Sequence, residues 1–148
     1  MRIVLQRVTE AEVEAEGRVT GKIGRGLLIF LGIAKTDKQQ DADYLVGKLL
    51  GLRIFPDEQG KMNRNVREAG GALLIVSQFT LYADCRKGRR PSFDLAAGVE
   101  QASALYQYFV DSVRAVKISV ETGIFQASMS VRLVNDGPVT IICDSANE

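Results

Sequence analysis

Residues Ala72 to Arg90 read ALLIVSQFTLYADCRKGRR. The first five, Ala72 to Val76, are apolar and long enough to form a buried strand. Three polar side chains then crowd together at Ser77, Gln78 and Thr80, around Phe79. The stretch closes on a cationic loop, Arg86-Lys87-Gly88-Arg89-Arg90. Two readings stand. A core strand that ends in Ser, Gln and Thr and runs into a basic loop suits a polar, anionic ligand. The same residues also describe a core strand fraying into a solvated turn.

Working outward, Gly26 to Ala34 (GLLIFLGIA) is a second apolar run, buried on both faces if it is a strand. Met1 to Val8 is β-branched-rich and reads as a strand that contains Arg7. That arginine is either a snorkelling edge residue or a brace for a polar site, since burying it is costly without acceptors. Ala11 to Ile23 reads as a hairpin turning at Glu16-Gly17, with Val13, Ala15, Val19 and Ile23 on one face. Thr36 to Leu52 reads as a helix, with Thr36 and Gln39 as a capping box and Ala42, Leu45, Val46, Leu49 and Leu52 on its apolar side. Arg53 to Phe55 is a short strand, and Lys61 to Gly71 is a loop. Asp94 to Lys117 is a second helix, with Val99, Ala102, Tyr106, Phe109 and Val113 on one stripe. Lys117 to Phe125 and Ser128 to Val134 are strands. Asn135-Asp136-Gly137-Pro138 breaks the pattern before a terminal strand, Val139 to Cys143. The expected fold is α+β: a single domain over residues 1–148, with a compact, β-rich, largely antiparallel sheet or barrel-like core and two helices packed outside.

Composition narrows the function. A hydrophobic fraction of 46% is that of an ordinary globular protein, and a formal charge of +1 confines any nucleic-acid contact to a local patch. The N-terminus reads as a strand rather than a leader, and no apolar run reaches the ~20 residues needed to span a bilayer. Cys85 and Cys143 form no CxxC pair, so a reducing, cytoplasmic setting is expected. The chain has no histidine. That excludes Ser-His-Asp and Cys-His hydrolases and an imidazole-based zinc site. An enzyme built from this chain works with backbone dipoles, hydroxyls, amides, carboxylates or its substrate's own groups, and neither a metal nor a cofactor is expected.

Two motifs carry chemistry. Read as a strand end, Ser77, Phe79 and Leu81 face one way, while Gln78 and Thr80 face the other and reach the same ligand. Unpaired amides at such an end can stabilise an oxyanion. The second motif is Asn135-Asp136-Gly137-Pro138-Val139-Thr140. Gly-Pro here is either a tight connection or a cis peptide that turns neighbouring carbonyls the same way, as acceptors for an ammonium group.

SQFTL at residues 77–81 and NDGPVT at residues 135–140 together resemble the D-aminoacyl-tRNA deacylase (D-tyrosyl-tRNA deacylase) family. QRV at Gln6 to Val8, GKMNR at Gly60 to Arg64 and RKGRRPSF at Arg86 to Phe93 extend the likeness from Met1 to Ser145. The resemblance implies a homodimer of β-rich subunits. It implies hydrolysis of the ester joining a D-amino acid to the 3′ end of tRNA, and of glycine mischarged on tRNA-Ala. Ser77, Gln78, Phe79 and Thr80 would line the reaction centre. Main-chain amides near Phe79 and Thr80 would be the oxyanion donors, with the terminal 2′-hydroxyl assisting water. Gly137-Pro138 would reach into the partner's pocket and exclude L-residues. Asn135 and Thr140 would flank that element, and Arg7 and Met129 would support it. Arg86, Lys87, Arg89 and Arg90 would meet tRNA phosphates. The competing class is a non-catalytic RNA-binding homodimer using the same four cations; aromatic residues near them, Tyr82 and Phe93, are few for a stacking platform. A purely structural dimer would leave the polar cluster unexplained.

Overall fold

The computed structural model describes residues 1–146. Its elements, in chain order, are β1 (Arg2–Ala15), β2 (Arg18–Ile23), β3 (Gly26–Gly32), α1 (Gln39–Gly51), β4 (Phe55–Pro56), β5 (Met62–Arg64), β6 (Ala72–Ser77), a 3-10 turn (Phe79–Tyr82), α2 (Val99–Arg114), β7 (Val120–Thr122) and β8 (Met129–Asp144). The α+β class and the two helices agree with the sequence reading. Two strands are longer than read: β1 is one strand through both the first run and the hairpin arm, and β8 is one strand through Asn135-Asp136-Gly137-Pro138. β7 is shorter than the expected Lys117 to Phe125, and β5 lies within the expected loop Lys61 to Gly71.

β1 organises the sheet. One edge pairs antiparallel with β3 (Arg2↔Gly32 to Val8↔Gly26) and then with β2 (Ala11↔Ile23 to Ala15↔Arg18). The other edge carries β8 from Arg2↔Asp144 to Ala15↔Met129. Beyond β3 the pairing changes sense. β3–β6 and β6–β7 are parallel, so the largely antiparallel sheet carries a parallel part beyond β3. A parallel neighbour needs a long crossover, and α1 and α2 lie within the two crossovers. The sheet nearly closes on itself: a Cβ placed on Gly21 of β2 would stand 2.7 Å from the carbonyl oxygen of Thr122 in β7.

Alternation divides β3 and β6 between two apolar layers. Leu27, Ile29, Leu73 and Ile75 pack with Leu45, Leu49, Phe109 and Val113 of the helices. Leu28, Leu74 and Val76 pack inside the curved sheet with Val8, Val13 and Ile23. This is the burial on both faces that the apolar runs predict. Val19 departs from its expected face and is 50% exposed. The β1–β2 register shifts between Val13 and Glu14, opposite Gly21 and Val19, so a bulge at Thr20 turns Val19 outward.

The helix starts also differ from the sequence reading. α1 is capped at Lys38, whose N–H donates to Asp41 Oδ2 at 2.8 Å, and not by Thr36 with Gln39. Asp37 is instead buried. It accepts the Ala34 N–H at 2.6 Å and meets the Met1 amino nitrogen at 2.5 Å. α2 begins at Val99, because the preceding turn is held by Ala97 N–H donating to Ile33 O at 2.9 Å and Gly98 is extended. Val99 is therefore 55% exposed rather than in the core stripe. Tyr106 stays in that stripe and donates its hydroxyl to Ile75 O at 2.8 Å. Burial pushes its pKa up to about 12. Among the described residues, no helix is long and apolar enough to cross a membrane.

The tightest approach in the sheet is at Gly26, where a Cβ would lie 1.9 Å from the Ala72 carbonyl oxygen. Backbone cannot move aside as a side chain can. Gly26→Ala should destabilise by at least the ~1–3 kcal/mol typical of overpacking, and lower Tm by several degrees. Thermal unfolding followed by circular dichroism checks this.

Candidate active site

β6 ends at Ser77, and the chain then coils into the 3-10 turn Phe79–Tyr82 rather than continuing as a strand. The expected strand-like alternation over residues 77–81 therefore does not occur. Gln78 and Thr80 still come together, because the Gln78 side-chain amide donates to Thr80 Oγ1. The turn is seated on β3: Gln78 N–H donates to Leu31 O at 2.9 Å. It fits because residue 32 is glycine, where a Cβ would meet Leu81 Cβ at 2.9 Å. A 3-10 turn leaves its first amides without partners in the turn. Here the first turn bond runs from Leu81 N–H to Gln78 O at 3.3 Å, so the N–H groups of Phe79 and Thr80 have no acceptor among the described residues.

A cavity of about 470 Å³ opens beside this turn. Ser77, Gln78 and Phe79 form one wall. Met129 and Val131 of β8 form another, with Phe125, Ala97 and Val99 completing the lining. Phe125, Ala97 and Val131 were not singled out from sequence. They sit in a loop, a turn and an alternating strand, where apolar residues look like ordinary core. The lining is mainly apolar with a few polar side chains, Ser77 and Gln78 at the turn and Gln126 beside Phe125, as suits a small ligand oriented by a few polar groups.

The other candidate residues form a separate group. Between Gln6↔Thr140 and Val8↔Asn135, four β8 residues (Asp136 to Val139) oppose the single β1 residue Arg7. The excess bulges outward, with the Gly137–Pro138 peptide cis and Gly137 at φ 131°. Asn135 ties its base, donating Nδ2 to Arg7 O at 2.9 Å and to Val139 O at 3.0 Å. Arg7 is 9% exposed. It donates Nε to Asp136 O at 3.1 Å and Nη1 to Ile54 O at 2.5 Å, and pairs with the Asp136 carboxylate at 3.2 Å. Of the two readings of Arg7, bracing is the one its contacts fit. Thr140 accepts from Gln6 Nε2 at 3.1 Å. Gly137 and Pro138 are exposed and line no part of their own chain's cavity. Met129, expected beside them, belongs to the cavity instead.

The basic loop is closed by a two-way bridge: Asp84 N–H donates to Ser92 O at 2.7 Å, and Ser92 N–H to Asp84 O at 2.9 Å. Arg86 pairs with Asp84 through Nε at 2.9 Å and Nη2 at 2.6 Å while staying exposed, so its charge is partly met at the start of the loop. The paired guanidinium holds the Asp84 carboxyl down at about 2, and the clamp releases only as the pH falls through that value. Lys87, Arg89 and Arg90 are exposed and form no ion pair among the described residues. Among those residues there is also no group of three or more carboxylate or thiol side chains placed to hold a metal ion.

The chain is 61% identical over 145 residues to the D-aminoacyl-tRNA deacylase of Solibacter usitatus (strain Ellin6076), covering 98% of this chain and 96% of that one. It is 58% identical over 148 residues to the D-aminoacyl-tRNA deacylase of Koribacter versatilis (strain Ellin345), covering 100% and 99%. Among solved structures, the c-Myc DNA Unwinding Element Binding Protein superposes with a TM-score of 0.91 at 40% identity, over 97% of this chain and 98% of the other. A probable eukaryotic D-amino acid tRNA deacylase shares the fold, with a TM-score of 0.84 at 20% identity over the same shares. The family model described as D-Tyr-tRNA(Tyr) deacylase matches residues 4–144, and with relatives this similar over their full length, the chain belongs to that family.

Proposed function

We propose that this protein hydrolyses the ester of D-aminoacyl-tRNA, and of glycyl-tRNA mischarged on tRNA-Ala, and spares L-aminoacyl-tRNA. The observation that carries the reading is the 3-10 turn at the cavity wall. Its two leading amides, at Phe79 and Thr80, have no acceptor among the described residues, and Phe79 lines a space for an aminoacyl-adenosine. In the reaction the ester carbonyl oxygen lies against these N–H groups. Water, assisted by the terminal 2′-hydroxyl, adds to the carbonyl carbon, and the negative charge that develops on oxygen is met by donors already aimed at it. Each such donor is worth ~2.7–4 kcal/mol. The tetrahedral centre then collapses, and the 3′-oxygen leaves with a proton. Thr80 orders the turn through Gln78 and forms no covalent bond. The step needs no metal, because the amides and the substrate hydroxyl polarise the reacting atoms.

Chiral selection is assigned to Gly137-Pro138 of a second copy. This is supported by the exposure of both residues and by their absence from their own cavity. The support extends to the bracing of the bulge by Asn135 and Arg7. β8 also presents exposed Val134 and Ile142, 48% and 64% accessible, as an apolar surface for association. Both enantiomers carry the same ammonium and ester, so discrimination requires a rigid obstacle where an L side chain would point. Glycine, with no side chain, passes. A cytoplasmic location follows from such a substrate. The second reading is a nucleic-acid-binding module without catalysis. It draws on the exposed Lys87, Arg89 and Arg90 and on the name of the 40%-identical structure.

Incubation with D-tyrosyl-tRNA and L-tyrosyl-tRNA, in the presence of a chelator, separates the readings. Release of D-tyrosine alone is expected; release of neither amino acid with retained tRNA binding would leave the binding module. Thr80→Ala should lower kcat by about tenfold to a hundredfold, less than a full oxyanion donor is worth, and no acyl-enzyme should accumulate on the wild type in a rapid quench. Removing the 2′-hydroxyl of the terminal adenosine should cost at least as much. Replacing Arg89 and Arg90 together by Ala should weaken tRNA binding and make the slope of log K against log salt shallower by about two, one per lost phosphate contact.

A further inference from the structure

Phe79 and Phe93 meet edge to face, with ring centroids 5.0 Å apart and planes at 66°. The pair is not buried: Phe79 is 56% exposed and Phe93 is half-buried. Leu95 and Val99, 56% and 55% exposed, extend the same apolar rim. Its position is specific. Phe79 and Val99 line the reaction cavity, whereas Leu95 borders a shallow recess with Ala83, Asp84, Cys85 and Arg86 at the foot of the basic loop. Phe93 directly follows Ser92, the residue whose bridge to Asp84 closes that loop. The rim thus lies between the cavity and the exposed cations Lys87, Arg89 and Arg90.

A chain leaving a cavity across paired aromatic faces toward unpaired cations must offer flat apolar surfaces first and negative charge next. Single-stranded nucleic acid does this, since every base has a π-face and every linkage a phosphate. We propose that the ring of Phe93, held edge to face by Phe79, stacks the base of the nucleotide that precedes the terminal adenosine, while Lys87, Arg89 and Arg90 take the phosphates on its 5′ side. The penultimate nucleotide is the one specified, because Phe79 itself forms the cavity wall and Phe93 stands one ring beyond it. Stacking reads no sequence, which fits an acceptor end shared by many tRNAs. Paired bases hide their faces, so the site takes a frayed or single-stranded end rather than a duplex. Phe93 is a positioning residue here, outside the reacting centre. The inference rests on the deacylase reading above.

The test compares D-tyrosyl-tRNA with 3′-O-D-tyrosyl-adenosine, which lacks the penultimate nucleotide. Phe93→Ala should raise KM for the tRNA substrate roughly tenfold and leave kcat within about twofold, while KM for the adenosine ester stays unchanged. Phe93→Trp should restore the tRNA KM; Phe93→Leu, apolar but without a ring, should not. An abasic penultimate nucleotide should impose the same rise on the wild type, a comparison that needs no variant, and should add nothing to Phe93→Ala. Equal changes on both substrates, no change on either, or additive losses would overturn the proposal. So would a weakened association between copies at unchanged KM, which would make the rim a protein interface. Should the wild type hydrolyse neither substrate, the deacylase reading fails by itself. Fluorescence anisotropy of a single-stranded RNA ending in CCA then decides the stacking: a roughly tenfold loss with Phe93→Ala keeps it, and no loss removes it.

Discussion

A single buried guanidinium sets the shape of the most unusual part of this chain. Arg7 sits in the middle of β1, where its neighbours Leu5 and Val8 are fully buried. An unpaired charge there would be strongly unfavourable. It is met by the carbonyl oxygens of Asp136 and Ile54 and by the Asp136 carboxylate. The two acceptors on Asp136 are available because β8 leaves the ladder between Asn135 and Thr140. The bulge therefore satisfies the arginine, and the arginine and Asn135 fix the bulge. Removing one partner would leave the other with polar groups it cannot satisfy.

The same economy explains why the candidate residues fall into two groups. Strands β3 and β6 are buried on both faces, so their middles have no room for chemistry. Polar groups can gather only where a strand stops, as at Ser77, or where one is forced out of register, as at Asp136 to Val139. The first place yields amides without acceptors among the described residues, at the wall of a cavity. The second yields an exposed projection with nothing of its own chain to act on. On the proposed reading, association of two copies would bring this projection to the cavity of the other.

Much of this was legible in the residues. The apolar runs at Gly26 to Ala34 and Ala72 to Val76 gave β3 and β6, and the spacing of Ala42, Leu45, Val46 and Leu49 gave the buried face of α1, because burial on a fixed period leaves a direct trace. What failed depended on partners distant in sequence. Asn135 to Pro138 looks like the end of a strand; only the continuous edge of β1 beside it carries β8 through. The parallel sense of β3–β6 follows from the route of a crossover, and no local pattern records it. Alternation across Ser77 to Leu81 was the natural reading of a strand, yet Gly32 beneath it admits a 3-10 turn. The polar cluster was visible, but its amides were not, since every residue has one. Phe79 and Phe93 are far enough apart in sequence that their contact appears only when the Asp84–Ser92 bridge folds the loop back.

The β1–β8 ladder has a further consequence, for how the chain reaches this structure. It joins Arg2 to Asp144, so the first strand cannot fill its second edge until almost all of the sequence has been synthesised. The β1–β3 contacts form between segments close in sequence, while closing the other edge brings together residues at opposite ends of the chain. Folds dominated by such distant pairings assemble slowly. During that interval the apolar β-branched edge of β1 is open to any passing strand. Arg7, in the middle of that edge, places a charge where an intruding apolar strand would have to bury it. The residue that braces the finished bulge is thereby a deterrent to misassembly before the bulge exists.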